Sequence, residues 1–143
     1  MPNGLNLLKD SDAWRKLEAP LLQIDSCLES FAKLHGMHIT RNHHNWPSRI
    51  LGWSSRGLKR GIGIVLNGPK NETYNVGAYA SKGSGMTWLS NKALLREAVR
   101  STDISANIGS LLAEACETAE RWEEQDLTDA RRIDVGAIFR RLS

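Results

Sequence analysis

The sequence predicts an α+β fold. An antiparallel meander of three or four strands, over about residues 37–81, is flanked by an N-terminal helix and by C-terminal helices that pack on the sheet. Two observations support this class. Apolar residues recur every three or four positions near both ends of the chain but every second position in its middle, and the connections between the middle segments are short. The 143 residues, which show no internal repeat or linker, are expected to form a single domain.

The first predicted element is an amphipathic helix. Asp10 or Ser11 is placed to cap its start, because short polar side chains accept hydrogen bonds from the first helical amides. Pro20 should kink the helix or restart it, and Gly36 suits a left-handed stop. The apolar stripe of this helix consists of Trp14, Leu17, Leu21, Ile24, Leu28, Phe31 and Leu34.

Strands are predicted where the apolar period changes to two. The alternating segments are 49–55, 60–67 and 73–80, and residues 37–40 could add a fourth strand. Because the turn segments between them are short, neighbouring strands should pair antiparallel. Gly61 and Gly63 lie on the same side of one strand, which would let a helix or a ligand approach the sheet closely.

The C-terminal part is predicted to be mainly helical. Residues 91–100 fit a short helix, and an apolar stripe from Ile104 to Trp122 fits a long one. The opposite face of the long helix is acidic and is interpreted as solvated surface. Residues 128–142 fit either a strand or a helix, and helix is the preferred interpretation.

Charge is segregated along the chain. Residues 35–82, the basic segment, contain seven Lys or Arg residues against one acid, Glu72, a formal charge of +6. All four histidines lie in the same segment. Residues 1–34 and 83–143 carry −1 and −2, so the overall charge of +3 hides a strong contrast. A basic segment of this kind attracts anionic partners.

We therefore predict a small non-enzymatic binding domain whose strand connections present a basic surface to an anionic partner, either nucleic acid or an acidic protein. Trp46 and Trp53 could stack on unpaired bases or anchor the surface by packing. The alternative is that charged turns keep the sheet soluble and that both indoles belong to the core. The candidate anion-binding residues are Arg41, His43, His44, Arg49, Arg56, Lys59 and Arg60.

Two other functions stay open. A homodimeric protein-interaction or chaperone-like module would cover the edges of the strand set. A small enzyme or metal-binding protein would use the histidines, although no Cys or carboxylate lies among them to complete a ligand set. No nucleophile motif is present, and residues 81–87 lack the order of a phosphate-binding P-loop. We therefore assign no catalytic residue, metal ligand or cofactor.

The sequence also predicts a compartment. It shows no secretory leader and no apolar run of about 18–20 residues, so a cytoplasmic location without a membrane partner is expected. Cys27 and Cys116 are the only cysteines, and each lies in a segment with helical spacing. In a reducing compartment they are expected to be buried small apolar side chains rather than a disulfide.

Overall fold

The computed structural model describes residues 11–68, 73–81, 87–88, 96–129 and 133–134. None of the helices in these ranges combines the length and apolarity that crossing a bilayer requires. In chain order the elements are α1 (Asp12–His35), β1 (His38–Arg41), β2 (Ser48–Ser55), β3 (Leu58–Gly68), β4 (Thr73–Ser81), β5 (Thr87–Trp88), β6 (Arg96–Arg100), α2 (Ser101–Arg121), α3 (Glu124–Asp129) and β7 (Ile133–Asp134).

Helix α1 begins and ends as its sequence predicts. The Ser11 hydroxyl accepts a hydrogen bond from the Trp14 amide at 3.2 Å, which satisfies one of the free donors of the first turn. Gly36 adopts the left-handed conformation (φ 67°) and donates its amide to Ala32. Pro20 lies inside α1, which continues through it as one helix rather than restarting.

The main sheet has five strands in the order β1-β2-β3-β4-β6, and every neighbouring pair is antiparallel. The predicted α+β class and the meander are confirmed, with more strands than expected. The additional strand is β6, so the predicted helix over 91–100 is wrong for residues 96–100; residues 91–95 lie outside the described ranges. Pairing of Val99 with Tyr74 and of Arg100 with Thr73 covers the second edge of β4, which local helical spacing cannot anticipate.

A second, two-stranded sheet pairs β5 with β7. Because β7 comprises Ile133–Asp134, the preferred helical interpretation of residues 128–142 is wrong at these two positions. Residues 128–129 belong to the short helix α3, and the remainder of the segment lies outside the described ranges. The glycine-containing connection at residues 82–86, which lacks the order of a P-loop, also falls outside them, as do Lys70 and Lys82 of the basic segment.

The core lies between the five-stranded sheet and the two long helices. We call the sheet face that α1 and α2 cover the inner face. Helix α1 lies on β1 and β2, and α2 lies on β3, β4 and β6. The Tyr74 hydroxyl donates to the carbonyl of Leu17, which ties β4 to α1. The buried inner-face side chains include Leu51, Ile62, Ile64, Leu66, Tyr74, Val76 and Ala78.

Gly61 and Gly63 lie on the sheet face opposite the helices, and the side chain of Tyr79 covers Gly63. A Cβ atom placed on Gly63 would come within 2.9 Å of the Tyr79 ring, so the ring lies directly over this glycine. Tyr79 is buried, and burial raises the pKa of its hydroxyl. The space that the sequence offered to a helix or a ligand is therefore occupied by Tyr79 at Gly63.

The two cysteines do not share one environment. Both are free; Cys27 is exposed on α1 and Cys116 is half-buried on α2. The expectation that both are buried is therefore wrong for Cys27, which lies away from the apolar stripe of its helix. Burial raises the pKa of the Cys116 thiol, and the Glu120 carboxylate raises it further.

Candidate functional site

Arg49 lies on the inner face of β2, where its side chain is fully buried. Its Nε donates to Asp25 Oδ1 at 2.7 Å and its Nη2 donates to Asp25 Oδ2 at 3.0 Å, a bidentate pair with α1. Nη2 also lies 3.0 Å from Glu18 Oε2. Nη1 donates to Asn42 Oδ1 at 3.0 Å and to the Ser48 carbonyl at 2.8 Å. All three guanidinium nitrogens are therefore hydrogen-bonded.

The pKa shifts around Arg49 result from burial and from hydrogen bonds and charges that oppose it. Burial alone would lower the pKa of Arg49, but the hydrogen bonds and charges of Asp25 and Glu18 more than compensate and raise it. Partial burial would raise the pKa of Glu18, yet hydrogen bonds from Asn42, Arg49 and Trp14 bring it below its ordinary value. Arg49, Asp25, Glu18 and Asn42, which we call the Arg49 cluster, thus join α1 to β1 and β2, and two carboxylates surround the single buried cation.

Arg60 is also buried on the inner face, at the C-terminal end of α2. Its Nη1 donates to the carbonyls of Ala119 and Trp122, the latter at 2.7 Å, and its Nε donates to the Ser55 carbonyl at 3.2 Å. A cation at this end of a helix is favourable because the last carbonyls are unpaired. Among the described residues, the nearest carboxylate oxygen, Glu120 Oε2, is 4.0 Å away, and Arg60 Nη2 has no hydrogen-bond partner. Burial lowers the pKa of Arg60, and Glu120 opposes this only in part.

Glu120 joins α2 to the turn between β2 and β3. Its Oε1 accepts from Trp53 Nε1 at 2.6 Å, and its Oε2 accepts from Ser55 Oγ and Arg56 Nη1, both at 3.0 Å. Partial burial would raise the pKa of Glu120, but these hydrogen bonds and the charges of Arg60 and Arg56 lower it. Arg56 and Gly57 both have positive φ, 49° and 77°, as two-residue hairpin turns require.

The other candidate residues lie at the surface. Arg41 is 48% exposed and pairs with Glu29 of α1, which is 57% exposed. Lys59 is exposed on β3, and its side chain is on the face opposite the helices. The amide of His43 donates to Ser48 Oγ at 3.0 Å within a short 3-10 turn, His43–Asn45. The side chain of His44 lies outside the described part of the chain.

The seven predicted anion-binding residues do not form one exposed surface. Arg49 and Arg60 are buried, so their assignment to a basic surface is wrong; helix carboxylates and carbonyls bind them instead. The exposed ones are divided between opposite ends of β2. Arg41 lies beside Arg49, and Arg56 follows Ser55, so about 20 Å of strand separates them. A site for an external anion would therefore use the exposed candidates at one end of β2 only.

The two candidate tryptophans, Trp46 and Trp53, form hydrogen bonds within the protein. Trp46 is buried, and its Nε1 donates to the Leu66 carbonyl at 2.8 Å. Trp53 is half-buried on the inner face, packs against the core and donates to Glu120. Of the two predicted roles, this arrangement supports packing anchors rather than platforms for stacking bases.

One edge of strand β1 has no partner among the described strands. The Asn42 amide donates to the Ser48 carbonyl at 2.9 Å, and β1–β2 register pairs Thr40 with Ile50. Because antiparallel pairs alternate between hydrogen-bonded and non-hydrogen-bonded, His38, Thr40 and Asn42 direct their main-chain groups toward β2. Ile39 and Arg41 therefore direct theirs away from β2, where none of the described strands lies. The only sequence signal was the optional fourth strand at 37–40.

A metal site and a groove beside α2 are weaker candidates for a functional site. Within the described ranges, no three His, Cys, Asp or Glu side chains converge to hold a metal ion. The His35 ring instead lies 4.4 Å from that of Phe31, between centroids. An open groove of about 430 Å³ beside α2 has Arg100, Asp103 and Glu114 in its lining, so both charge signs occur there.

Comparison with known proteins gives no functional assignment. No protein-family model matches this sequence, and the searches of curated proteins and of solved structures also found no match.

Proposed function

We propose that the protein is a small non-enzymatic binding domain that takes up an acidic segment of a partner protein as an additional strand beside β1. The observation that carries this proposal is the outward direction of the main-chain N–H and C=O groups of Ile39 and Arg41 on an edge strand. Such groups pair readily with an extended chain from another molecule. β1 has four residues, so the added segment is short.

The charge beside this edge supports an acidic partner. His38 and Arg41 are exposed, and His43 follows them in the next turn, half-buried. Carboxylates on the added strand would complement these side chains, which fixes orientation and makes the association rate sensitive to salt. This keeps the predicted anionic partner but places it at one end of the basic segment.

Nucleic acid is less well supported as the partner. Phosphates carry no donors for the outward carbonyls of Ile39 and Arg41, whereas a peptide main chain supplies both donors and acceptors. The exposed candidate cations are divided between two ends of the sheet. The indole N–H groups of Trp46 and Trp53 already donate hydrogen bonds within the fold. Binding of nucleic acid is therefore an outcome of the test rather than the proposal.

Self-association through the same edge is the second candidate. Two copies of β1 paired antiparallel about Thr40 would bring their two Arg41 residues into diagonal positions, about 7–8 Å apart. Like charges at this separation oppose pairing, which favours an acidic partner over a second copy. The two free cysteines support a reducing compartment, and we place the protein in the cytoplasm as part of this proposal.

The test uses proline at a position whose amide points outward. Ile39→Pro removes one outward donor without removing a hydrogen bond to β2, since prolines are tolerated at the free side of edge strands. Ile39→Ala is the matched control because it loses similar packing but keeps the amide. The probe is a capped, fluorescein-labelled peptide built from repeats of Thr-Glu-Thr-Val, titrated at low salt and followed by fluorescence anisotropy.

We expect Ile39→Pro to bind this peptide about tenfold or more weakly than Ile39→Ala, because a main-chain acceptor of the peptide is left unpaired. Equal binding by two variants with equal melting temperatures would overturn the proposal, as would no binding by the wild-type protein. Single-stranded DNA bound equally by both variants, with no peptide binding, would favour nucleic acid. A dimer in light scattering that Ile39→Pro dissociates would favour a second copy.

A further inference from the structure

We infer that the strand added to β1 runs antiparallel to it and carries a carboxylate opposite Arg41 and an apolar side chain opposite Ile39. Read from its N-terminus, the bound segment has the order acidic–any–apolar. The inference rests on the proposed function, and it names the partner motif that the same edge selects.

The first step is the position of the two side chains on β1. Ile39 and Arg41 are two residues apart, so both side chains lie on the inner face, toward α1. Ile39 is half-buried and packs against the core, and Arg41 pairs with Glu29 of α1. Residues of an added strand directly opposite these two would also present their side chains on the inner face, with Cβ atoms about 5 Å away.

The second step is the spare bonding capacity of Arg41. A guanidinium has five N–H donors in a planar fork, and the described contact with Glu29 uses Nη2. Both partners of this ion pair are about half exposed, so the pair is weak and easily exchanged. A carboxylate on the added strand can therefore bind the same guanidinium, either beside Glu29 or in its place.

The third step is the apolar side chain of Ile39 itself. Ile39 is half-buried and packs against the core on the edge strand of the sheet, so part of its side chain stays open on the inner face. An apolar side chain directly opposite Ile39 would cover that part, because directly opposite residues on one face of an antiparallel pair pack against each other.

The fourth step is the direction of the added strand. All strand pairs of the main sheet are antiparallel, and antiparallel pairing is slightly more stable per residue than parallel pairing. An antiparallel segment reaches Arg41 before Ile39, which places its acidic residue two positions before its apolar one. A parallel segment would need the reverse order.

Two peptides of equal composition test the inference. The first is built around a single Thr-Glu-Thr-Val-Thr and the second around Thr-Val-Thr-Glu-Thr, both with capped ends. We expect the first to bind the full-length protein about tenfold more tightly, since only its order pairs both side chains correctly. A charge exchange checks the register: Arg41→Glu should lose the first peptide and gain a version in which Lys replaces Glu.

The outcomes separate this inference from the proposed function. Tighter binding of the second peptide, or equal binding of both, overturns the inferred register. In that case the edge site still stands if Ile39→Pro weakens binding relative to Ile39→Ala. If neither these peptides nor the repeated Thr-Glu-Thr-Val probe binds the wild-type protein, the proposed function fails as well. Glu29→Gln, which removes a competing carboxylate, should tighten binding of the first peptide about two- to threefold.

Discussion

Arg49 and Arg60 occupy comparable positions, since both are buried on the inner face and both contact a helix, but their partners differ. Arg49 receives two carboxylates at hydrogen-bond distance and has a partner for each nitrogen. Within the described part of the chain, Arg60 donates to three main-chain carbonyls, has its nearest carboxylate at 4.0 Å and leaves Nη2 unpaired. The difference appears in the pKa, which is raised for Arg49 and lowered for Arg60.

The comparison of Arg49 with Arg60 shows how the segregation of charge along the sequence contributes to the fold. The basic segment and its acidic flanks fold against each other, so that carboxylates of α1 or α2 pair with three of the seven candidate residues, Arg41, Arg49 and Arg56. A fourth candidate, Arg60, lies 4.0 Å from Glu120. How much such a pair stabilises the fold depends on how well the buried charge is bonded, because removing a cation from water is unfavourable unless its partners replace the lost hydration. Arg49 meets that condition better than Arg60.

The largest expected effect is at Arg49. Arg49→Met keeps the approximate volume but leaves Asp25 and Glu18 without their cation in a largely buried place, so the free energy of unfolding should fall by about 3–5 kcal/mol. Urea denaturation measures this. Arg15→Met, which removes an exposed pair with Asp12, is the matched control and should leave the midpoint unchanged. A loss at Arg49 no larger than at Arg15 would contradict the comparison.

Acid should lower the stability of the protein by protonating Glu18, which bonds Arg49, and Glu120, which bonds the β2–β3 hairpin. The effect should be smaller than that of losing Arg49. Glu18 and Glu120 have folded-state pKa values below the ordinary 4.5, so in acid the unfolded state binds more protons than the folded one. The stability that they contribute is complete above pH 4.5 and is lost as the pH falls through the lower, folded pKa. Urea midpoints measured from neutral pH downward should therefore decrease below pH 4.5.

Glu120→Gln separates the two carboxylates in this acid titration. The amide keeps the shape of the side chain but cannot titrate, so the variant should be less stable at neutral pH and should lose less stability below pH 4.5 than the wild type. If its midpoints fell in parallel with those of the wild type, Glu120 would not be a source of the acid sensitivity.

The fold could be predicted where the apolar residues of a segment follow a single period and line a single buried face of a helix or strand. The stripe of α1, its Ser11 and Gly36 caps and the alternation in β2, β3 and β4 are local signals of this kind. Strand β6 could not be predicted, because the apolar spacing around Val99 also fits a helix and its pairing with β4 joins distant residues. In such segments tertiary pairing overrides local preference.

The candidate site was harder to predict than the fold. Composition identifies a basic segment, but such a segment can bind an external anion or the acidic flanks of its own chain. Arg49 and Asp25 are 24 residues apart, and Arg56 and Glu120 are 64 apart, so no local pattern joins them. The interpretation of the acidic face of α2 as solvated surface is wrong for Glu120, whose carboxylate accepts hydrogen bonds from the β2–β3 hairpin.

The smallest expected change in the free energy of unfolding is at Arg60. It is also the most direct test of the contrast between Arg60 and Arg49. Arg60→Met removes a buried charge that has no close carboxylate, which is favourable, and it also removes donors from the Ala119 and Trp122 carbonyls, which is unfavourable. These terms should nearly cancel, so urea denaturation should give a free energy of unfolding within about 1 kcal/mol of the wild type. A loss as large as that of Arg49→Met would mean that helix carbonyls bind a buried guanidinium as effectively as carboxylates do. The contrast between the two arginines would then lie in their surroundings rather than in the charge of their partners.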